Sequence, residues 1–189
     1  PLAGKRVAVI GTGASAIQFV PQIAPQVDRL DLYQRTPPWV MPKPDRDVSA
    51  LERWMFRQFP FTQWLVRAGL YWMLEMRVMG FVMHPKLMKA VERMARRHLA
   101  REVRDPELRA KLTPDYTIGC KRVLMSNDYY GALTRANVDV VTTGIDHVEP
   151  DALVMRDGSR RPADCIILGT GFRATAPLPR GGVDSGREN

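Results

Sequence analysis

Residues 6–20 read RVAVIGTGASAIQFV. An apolar run closes on Gly11-Thr12-Gly13-Ala14-Ser15-Ala16, and an apolar helical pattern follows at once. A buried parallel strand that feeds a glycine turn and then a helix N-terminus constrains the fold to a doubly wound α/β sheet. That turn is also where the pyrophosphate of a dinucleotide binds, because backbone N–H groups and the helix dipole converge there. Gly11 permits the tight turn, and Gly13 lets the backbone approach the phosphates. Ala16 stands where a small residue lets helix and strand pack closely.

The end of the next strand decides which dinucleotide. That strand is predicted over residues 29–34, Arg29-Leu30-Asp31-Leu32-Tyr33-Gln34. An NAD site carries an Asp or Glu at this end to accept bonds from the ribose hydroxyls. Here Gln34, Arg35 and Thr36 stand instead. An acid would repel a 2′-phosphate, whereas a guanidinium forks onto it and a hydroxyl donates to it. The residues therefore favour NADP over NAD. Asp31 lies inside the strand and is not expected to touch the ribose.

Composition narrows the class further. The chain has 189 residues, 45% of them hydrophobic, enough for one domain with an insertion. Cys120 and Cys165 make no disulfide framework and have no metal-like spacing, and His84, His98 and His147 are scattered. No metal site is expected. The chain opens Pro1-Leu2-Ala3-Gly4-Lys5 without an initiator Met or a secretory signal, so a fragment of a cytoplasmic protein is the expectation. The net charge of +8 does not make it a nucleic-acid binder, because no zinc, RNP-like or helix-turn-helix pattern accompanies it. Arg93, Arg96, Arg97 and Arg101 read as a solvated helix face.

Along the chain, a strand is predicted at 5–10 and a helix over 13–25, which Pro21 and Pro25 would kink or end early. A proline-rich loop at 36–48 admits no helix and no central strand. Residues 49–112 change character. Leu51, Trp54, Met55 and Phe59 recur at helical spacing, and so do Trp64, Leu65, Ala68, Tyr71, Trp72, Met76 and Met79. Arg67, Glu75 and Arg77 exclude a bilayer span there, and packing of these helices against the sheet is expected. Further helices are predicted at 85–102 and 106–112. A strand follows at 138–142, then paired strands at 145–149 and 152–156 with a turn at Asp157-Gly158, then a buried strand at 164–168. The stretch from Pro177 to Asn189 is expected to be disordered. The outline is a Rossmann-like parallel sheet in two parts, 1–48 and 113–175, with a helical insertion at 49–112 and a tail at 176–189.

Several motifs now stand in order. Gly4-Lys5-Arg6-Val7 with Gly11-Thr12-Gly13-Ala14-Ser15-Ala16-Ile17-Gln18 resembles the NADP-binding segment of Baeyer–Villiger monooxygenases, which belong to the class B flavin-dependent monooxygenases. Gln34-Arg35-Thr36-Pro37 is similar to the family segment that holds the 2′-phosphate. Gly119-Cys120-Lys121-Arg122, followed by Asn127-Asp128-Tyr129-Tyr130, resembles a segment distinctive of the Baeyer–Villiger branch. Leu168-Gly169-Thr170-Gly171-Phe172 resembles the motif that ends the NADP domain and returns the chain to the flavin domain. The resemblance covers residues 1 to about 175.

The resemblance implies that NADPH reduces FAD, that reduced flavin and O2 give a flavin peroxide, and that the peroxide converts a ketone to an ester or lactone. It implies cofactor contacts at Gly11, Thr12, Gly13, Ala14, Ser15, Gln18, Arg35, Thr36, Lys121, Thr170 and Gly171. It implies a catalytic role for Arg122, whose fixed charge would stabilise the peroxyflavin anion. The family's FAD fingerprint and its Phe, Gly, His and Trp signature do not occur upstream in this sequence. Relative to a two-dinucleotide-domain flavoprotein the chain is therefore read as incomplete, inactive by itself, and missing a flavin-domain partner. Two alternatives remain: a non-catalytic NADP-binding module, and a flavin-containing N- or S-oxygenase, against which Lys121-Arg122 and the helical insertion argue.

Overall fold

The computed structural model describes residues 1–83 and 85–171, with side chains for all of these except 77–87. Phe172 and the tail expected to be disordered lie outside the described residues. In chain order the elements are β1 (Arg6–Ile10), α1 (Ala16–Ile23), β2 (Arg29–Tyr33), β3 (Val40–Met41), α2 (Ala50–Gln58), α3 (Phe61–Met83), α4 (Pro85–Glu102) and α5 (Pro106–Leu112). They continue with β4 (Leu124–Met125), α6 (Tyr129–Leu133), β5 (Val138–Val141), β6 (Ile145–Val148), β7 (Ala152–Met155), β8 (Arg160–Pro162) and β9 (Cys165–Leu168).

Four strands form a parallel sheet in the order β5-β2-β1-β9. Side chains alternate across it, as strand geometry requires. Val7, Val9, Leu30, Leu32 and Val140 point into the main core with Ala16, Ile17 and Val20 of α1 and Tyr129, Tyr130 and Leu133 of α6. Ala8, Tyr33 and Val141 face the other way, onto Leu153 and Met155 of β7. Cover on both faces is why the sequence of β1 reads as a continuous apolar run. The second cover is an antiparallel sheet, β6-β7-β8. Arg161 of β8 fastens it by bonding Asp139 at 2.7 Å and the buried Asp31 at 3.3 Å.

Helix α1 contains Pro21 and stops at Ile23, short of the expected residue 25 and before Pro25. The proline-rich stretch holds no central strand, but Val40–Met41 fits between its prolines as a two-residue ladder with β4. Leu124 N donates to Trp39 O at 2.9 Å, and Ser126 N to Met41 O at 3.0 Å. The Asn127 side chain closes the unit on the main chain of Lys43, accepting at 2.9 Å and donating at 3.0 Å.

Two packing expectations are corrected. Helices α2 and α3 do not bury their apolar residues against the sheet: Trp54, Phe61, Trp64, Leu65, Tyr71 and Trp72 are all exposed. Apolar residues lie all round α3, so one-sided packing cannot cover them. Helix α4 has a stripe instead. Ala95 and Leu99, four apart, are buried with Val103, and Leu112 of α5 joins the main core. The strand at 164–168 is also not fully buried. β9 is an edge strand whose Cys165 and Ile167 pack on the core, leaving Ile166 38% and Leu168 70% exposed.

Candidate dinucleotide site

The C-terminal ends of the parallel strands build the site. One further bond extends each pairing: Gly11 N to Tyr33 O at 3.0 Å, Gly169 N to Ile10 O at 2.8 Å, and Gln34 N to Val141 O at 2.9 Å. β2 and β9 flank β1 on opposite sides, so the chain leaves β1 at a topological switch point, where a crevice opens beyond the strand ends.

The two conspicuous glycines of the turn do different jobs. Gly11 has φ +106°, and a Cβ there would stand 2.6 Å from Gly169 O and 2.8 Å from its carbonyl carbon. The glycine turn and the loop after β9 cross backbone on backbone, which only glycine permits. Ala16 is part of the same fit, since a Cβ on Gly169 would meet the Ala16 Cβ at 3.4 Å. Gly13 lacks any such demand. It is exposed, its φ is not positive, and a Cβ would meet only Gly169 O, at an ordinary 3.7 Å. The protein's own packing leaves that space open on the solvent side.

The turn also presents free donors. Among the described residues, the N–H groups of Thr12, Gly13, Ala14 and Ser15 have no backbone or side-chain acceptor. Ser15 makes no capping bond, and the first turn of α1 carries no acid. Unpaired N–H groups at a helix start, with no carboxylate to neutralise the dipole, suit an anion. Gln18 is exposed one turn further along α1, and Thr170 and Gly171 are exposed just past the crossing.

At the end of β2, Gln34 turns inward. It is buried and donates its amide to Lys111 O at 2.8 Å, latching α5 to the strand end. Arg35 is exposed, and the Thr36 carbonyl accepts from Thr12 Oγ1 at 3.4 Å, joining the glycine turn to the strand end. Asp31 is buried and engaged by Arg29 at 2.9 Å as well as by Arg161, away from any ribose.

Lys121 and Arg122 are exposed on the loop between Gly119, φ +98°, and β4. The β3–β4 ladder brings this loop alongside residues 35–38. The Lys121 ammonium lies 4.6 Å from the centre of the Tyr116 ring, and Tyr116 Oη donates to Pro37 O at 3.2 Å. Through Tyr116, Lys121 is thus tied to Pro37, the residue after Thr36. Among the described residues Arg122 has no hydrogen-bond or ion-pair partner, and Arg35 and Lys121 form no ion pair. The Tyr129-Tyr130 part of the downstream motif is core: both rings are buried, and burial pushes both phenols well up. Sequence reading missed Gln34 as a latch, and Trp39 and Tyr116 as the wall behind Lys121.

Two clefts lie elsewhere, one at the start of β2 and β5 lined by Asp28, Arg29 and Asn137, the other along the edge strand β5 beside α5 lined by Arg104, Lys111 and Arg135. Neither includes a residue of the glycine turn. Both cysteines are free thiols. Among the described residues no three ligating side chains gather for a metal, and no helix is long and apolar enough to cross a membrane.

No protein-family model matches the chain. A Baeyer-Villiger monooxygenase of Pseudomonas aeruginosa is 60% identical over 182 residues, covering 96% of this chain and 34% of the relative. A second protein of that name, from Streptomyces coelicolor, is 53% identical over 174 residues, covering 92% of this chain and 34% of the relative. Among solved structures, cyclohexanone monooxygenase from Rhodococcus sp. Phi1 bound to NADP+ superposes with a TM-score of 0.75 at 26% identity, over 91% of this chain and 39% of that one. The chain spans about a third of the length of the curated relatives it matches.

Proposed function

We propose, for a chain that belongs to the Baeyer–Villiger monooxygenase family over the residues it shares with these relatives, that it is the NADP-binding portion of an NADPH- and FAD-dependent monooxygenase. The single observation that carries this is the glycine turn. Its free amides, its open face at Gly13 and its crossing with Gly169 make a cradle that the fold itself does not fill.

In this reading the amides of Thr12, Gly13, Ala14 and Ser15 hold the pyrophosphate, and Gly11 makes the turn that presents them. Gln18, Thr170 and Gly171 border it. Arg35, Thr36 and Lys121 take the 2′-phosphate. Residues 1–48 and 113–175 act as the two parts of the dinucleotide domain, with 49–112 as the helical insertion, in a cytoplasmic protein. Among the described residues one strand, glycine turn and helix unit fits a dinucleotide, and it is assigned to NADP. No flavin site is assigned here.

FAD supplies the reaction with O2 in the whole protein, and a ketone is the substrate class. Arg122 contributes a permanent positive charge toward the reacting centre, where developing negative charge would be stabilised. The apolar faces of α2 and α3, together with Ile166 and Leu168 of β9, are the surfaces assigned to contact with the flavin-domain part.

The test is Arg35→Ala. A charge-assisted bond to phosphate contributes about 1.5–3 kcal/mol, so NADPH affinity should fall roughly tenfold or more while NADH affinity stays within about twofold. Equal losses for the two nucleotides would remove the 2′-phosphate assignment.

A further inference from the structure

We infer that Tyr116 is a positioning residue for nicotinamide-nucleotide selection, acting by holding the Lys121 ammonium beside the Arg35-Thr36-Pro37 segment. The inference rests on the reading of Lys121 as a 2′-phosphate ligand and goes beyond it. It concerns how a lysine on a glycine-containing loop is held beside the segment that follows β2.

Three contacts of one residue carry it. The Tyr116 ring lies under Lys121 Nζ at 4.6 Å from its centre, within the range where a ring face attracts an ammonium. Tyr116 Oη donates to Pro37 O at 3.2 Å, one residue beyond Thr36. Tyr116 O accepts from the indole N–H of the buried Trp39 at 2.9 Å, and the two rings meet edge to face at 6.4 Å. Tyr116 is thereby bonded to the segment after β2 at both its backbone and its hydroxyl, while its ring face carries Lys121. On the far side, the Arg96 guanidinium of α4 covers the Trp39 ring at 5.1 Å and is itself paired with Glu92 at 2.9 Å. The stack therefore runs from a helix surface through two aromatic rings to an ammonium with no ion pair among the described residues.

A lysine carries a large rotamer entropy, and confining it before the ligand arrives lowers the cost of binding. The phenol suits the task because burial pushes its pKa up, which keeps it a protonated donor to Pro37. Gly119 alone would leave Lys121 on a loop with no fixed direction. Tyr116 gives it one, toward the strand end where the sequence lacks the ribose-binding acid.

The experiment compares Lys121→Ala, Tyr116→Phe, Tyr116→Leu and the Lys121→Ala/Tyr116→Leu pair in the full chain. NADPH and NADH are titrated by calorimetry, and circular dichroism checks folding. Lys121→Ala should cut NADPH affinity about tenfold and spare NADH. Tyr116→Leu should cut NADPH affinity about two- to fivefold, the scale of an exposed cation–π contact, and again spare NADH. It should add nothing further in the Lys121→Ala background. Tyr116→Phe, which keeps the ring and loses only the Pro37 bond, should fold normally and fall between wild type and Tyr116→Leu.

If both Tyr116 variants leave the NADPH-to-NADH ratio unchanged while Lys121→Ala lowers it, the inference falls and the phosphate reading stands. Equal losses for both nucleotides in the Tyr116 variants would reduce Tyr116 to a structural residue. An added loss in the double variant would mean that Tyr116 acts apart from Lys121. If Lys121→Ala itself spares the ratio, the phosphate reading of Lys121 fails and the inference with it.

Discussion

The parallel sheet and the α2–α3 pair are both rich in apolar residues and treat them in opposite ways. Val7, Val9, Leu30 and Leu32 are at most 2% exposed, whereas Trp64 and Trp72 are 67% and 65% exposed. The sheet achieves closure because α1 and α6 cover one face and β6–β8 the other. The helices do not: the apolar residues of α3 surround its axis, and although α2 touches α3 and α3 touches α4, most of the large apolar side chains of α2 and α3 stay exposed. The difference teaches where stability and where contact chemistry reside. A sheet whose strands β1, β2 and β5 are covered on both faces can hold a crossing as tight as Gly11 on Gly169 and leave four amides unpaired at its rim. An apolar face left open to water has the character of an interaction surface.

Core truncation should separate the two regions most. Leu32→Ala is expected to cost about 3 kcal/mol, as for other fully buried leucines, while Trp72→Ala stays within about 0.5 kcal/mol. Denaturant midpoints for the two variants check this, and a large loss at Trp72 would mean that α3 is packed more firmly than its exposure indicates. Within the sheet, the two glycines sharpen the distinction between fold and binding. Gly11→Ala forces a side chain onto a positive φ and into the Gly169 carbonyl, and should cost about 2 kcal/mol or more. Gly13→Ala should change stability by less than about 0.5 kcal/mol and yet weaken NADPH binding, because its Cβ would occupy the space kept open for phosphate. A Gly13→Ala chain that binds NADPH normally would mean that no ligand approaches there.

Much of this was legible before any coordinates. The runs at β1, β2, β5, β6 and β7 announced themselves by apolar pattern, and helices at 85–102 and 106–112 were expected where α4 and α5 lie. The glycine turn and the Gly169 loop were legible as motifs, though that they collide was not. Two-residue strands such as β3 and β4 carry no periodicity, and α6 is a single helical turn. β8 is written Arg160-Arg161-Pro162, whose charges hide a strand that serves to clamp Asp31 and Asp139. The exposure of α2, α3 and one face of β9 was illegible for a different reason. Apolar sequence reports what prefers to be covered, and the covering surface has to be elsewhere.

The most direct measurement is calorimetric titration of the folded chain, verified by circular dichroism, with NADPH and with NADH. The account predicts saturable binding of NADPH at least about tenfold tighter than NADH, the scale of one or more charge-assisted bonds to the 2′-phosphate. Equal affinities, or a folded chain that binds neither nucleotide, would contradict it.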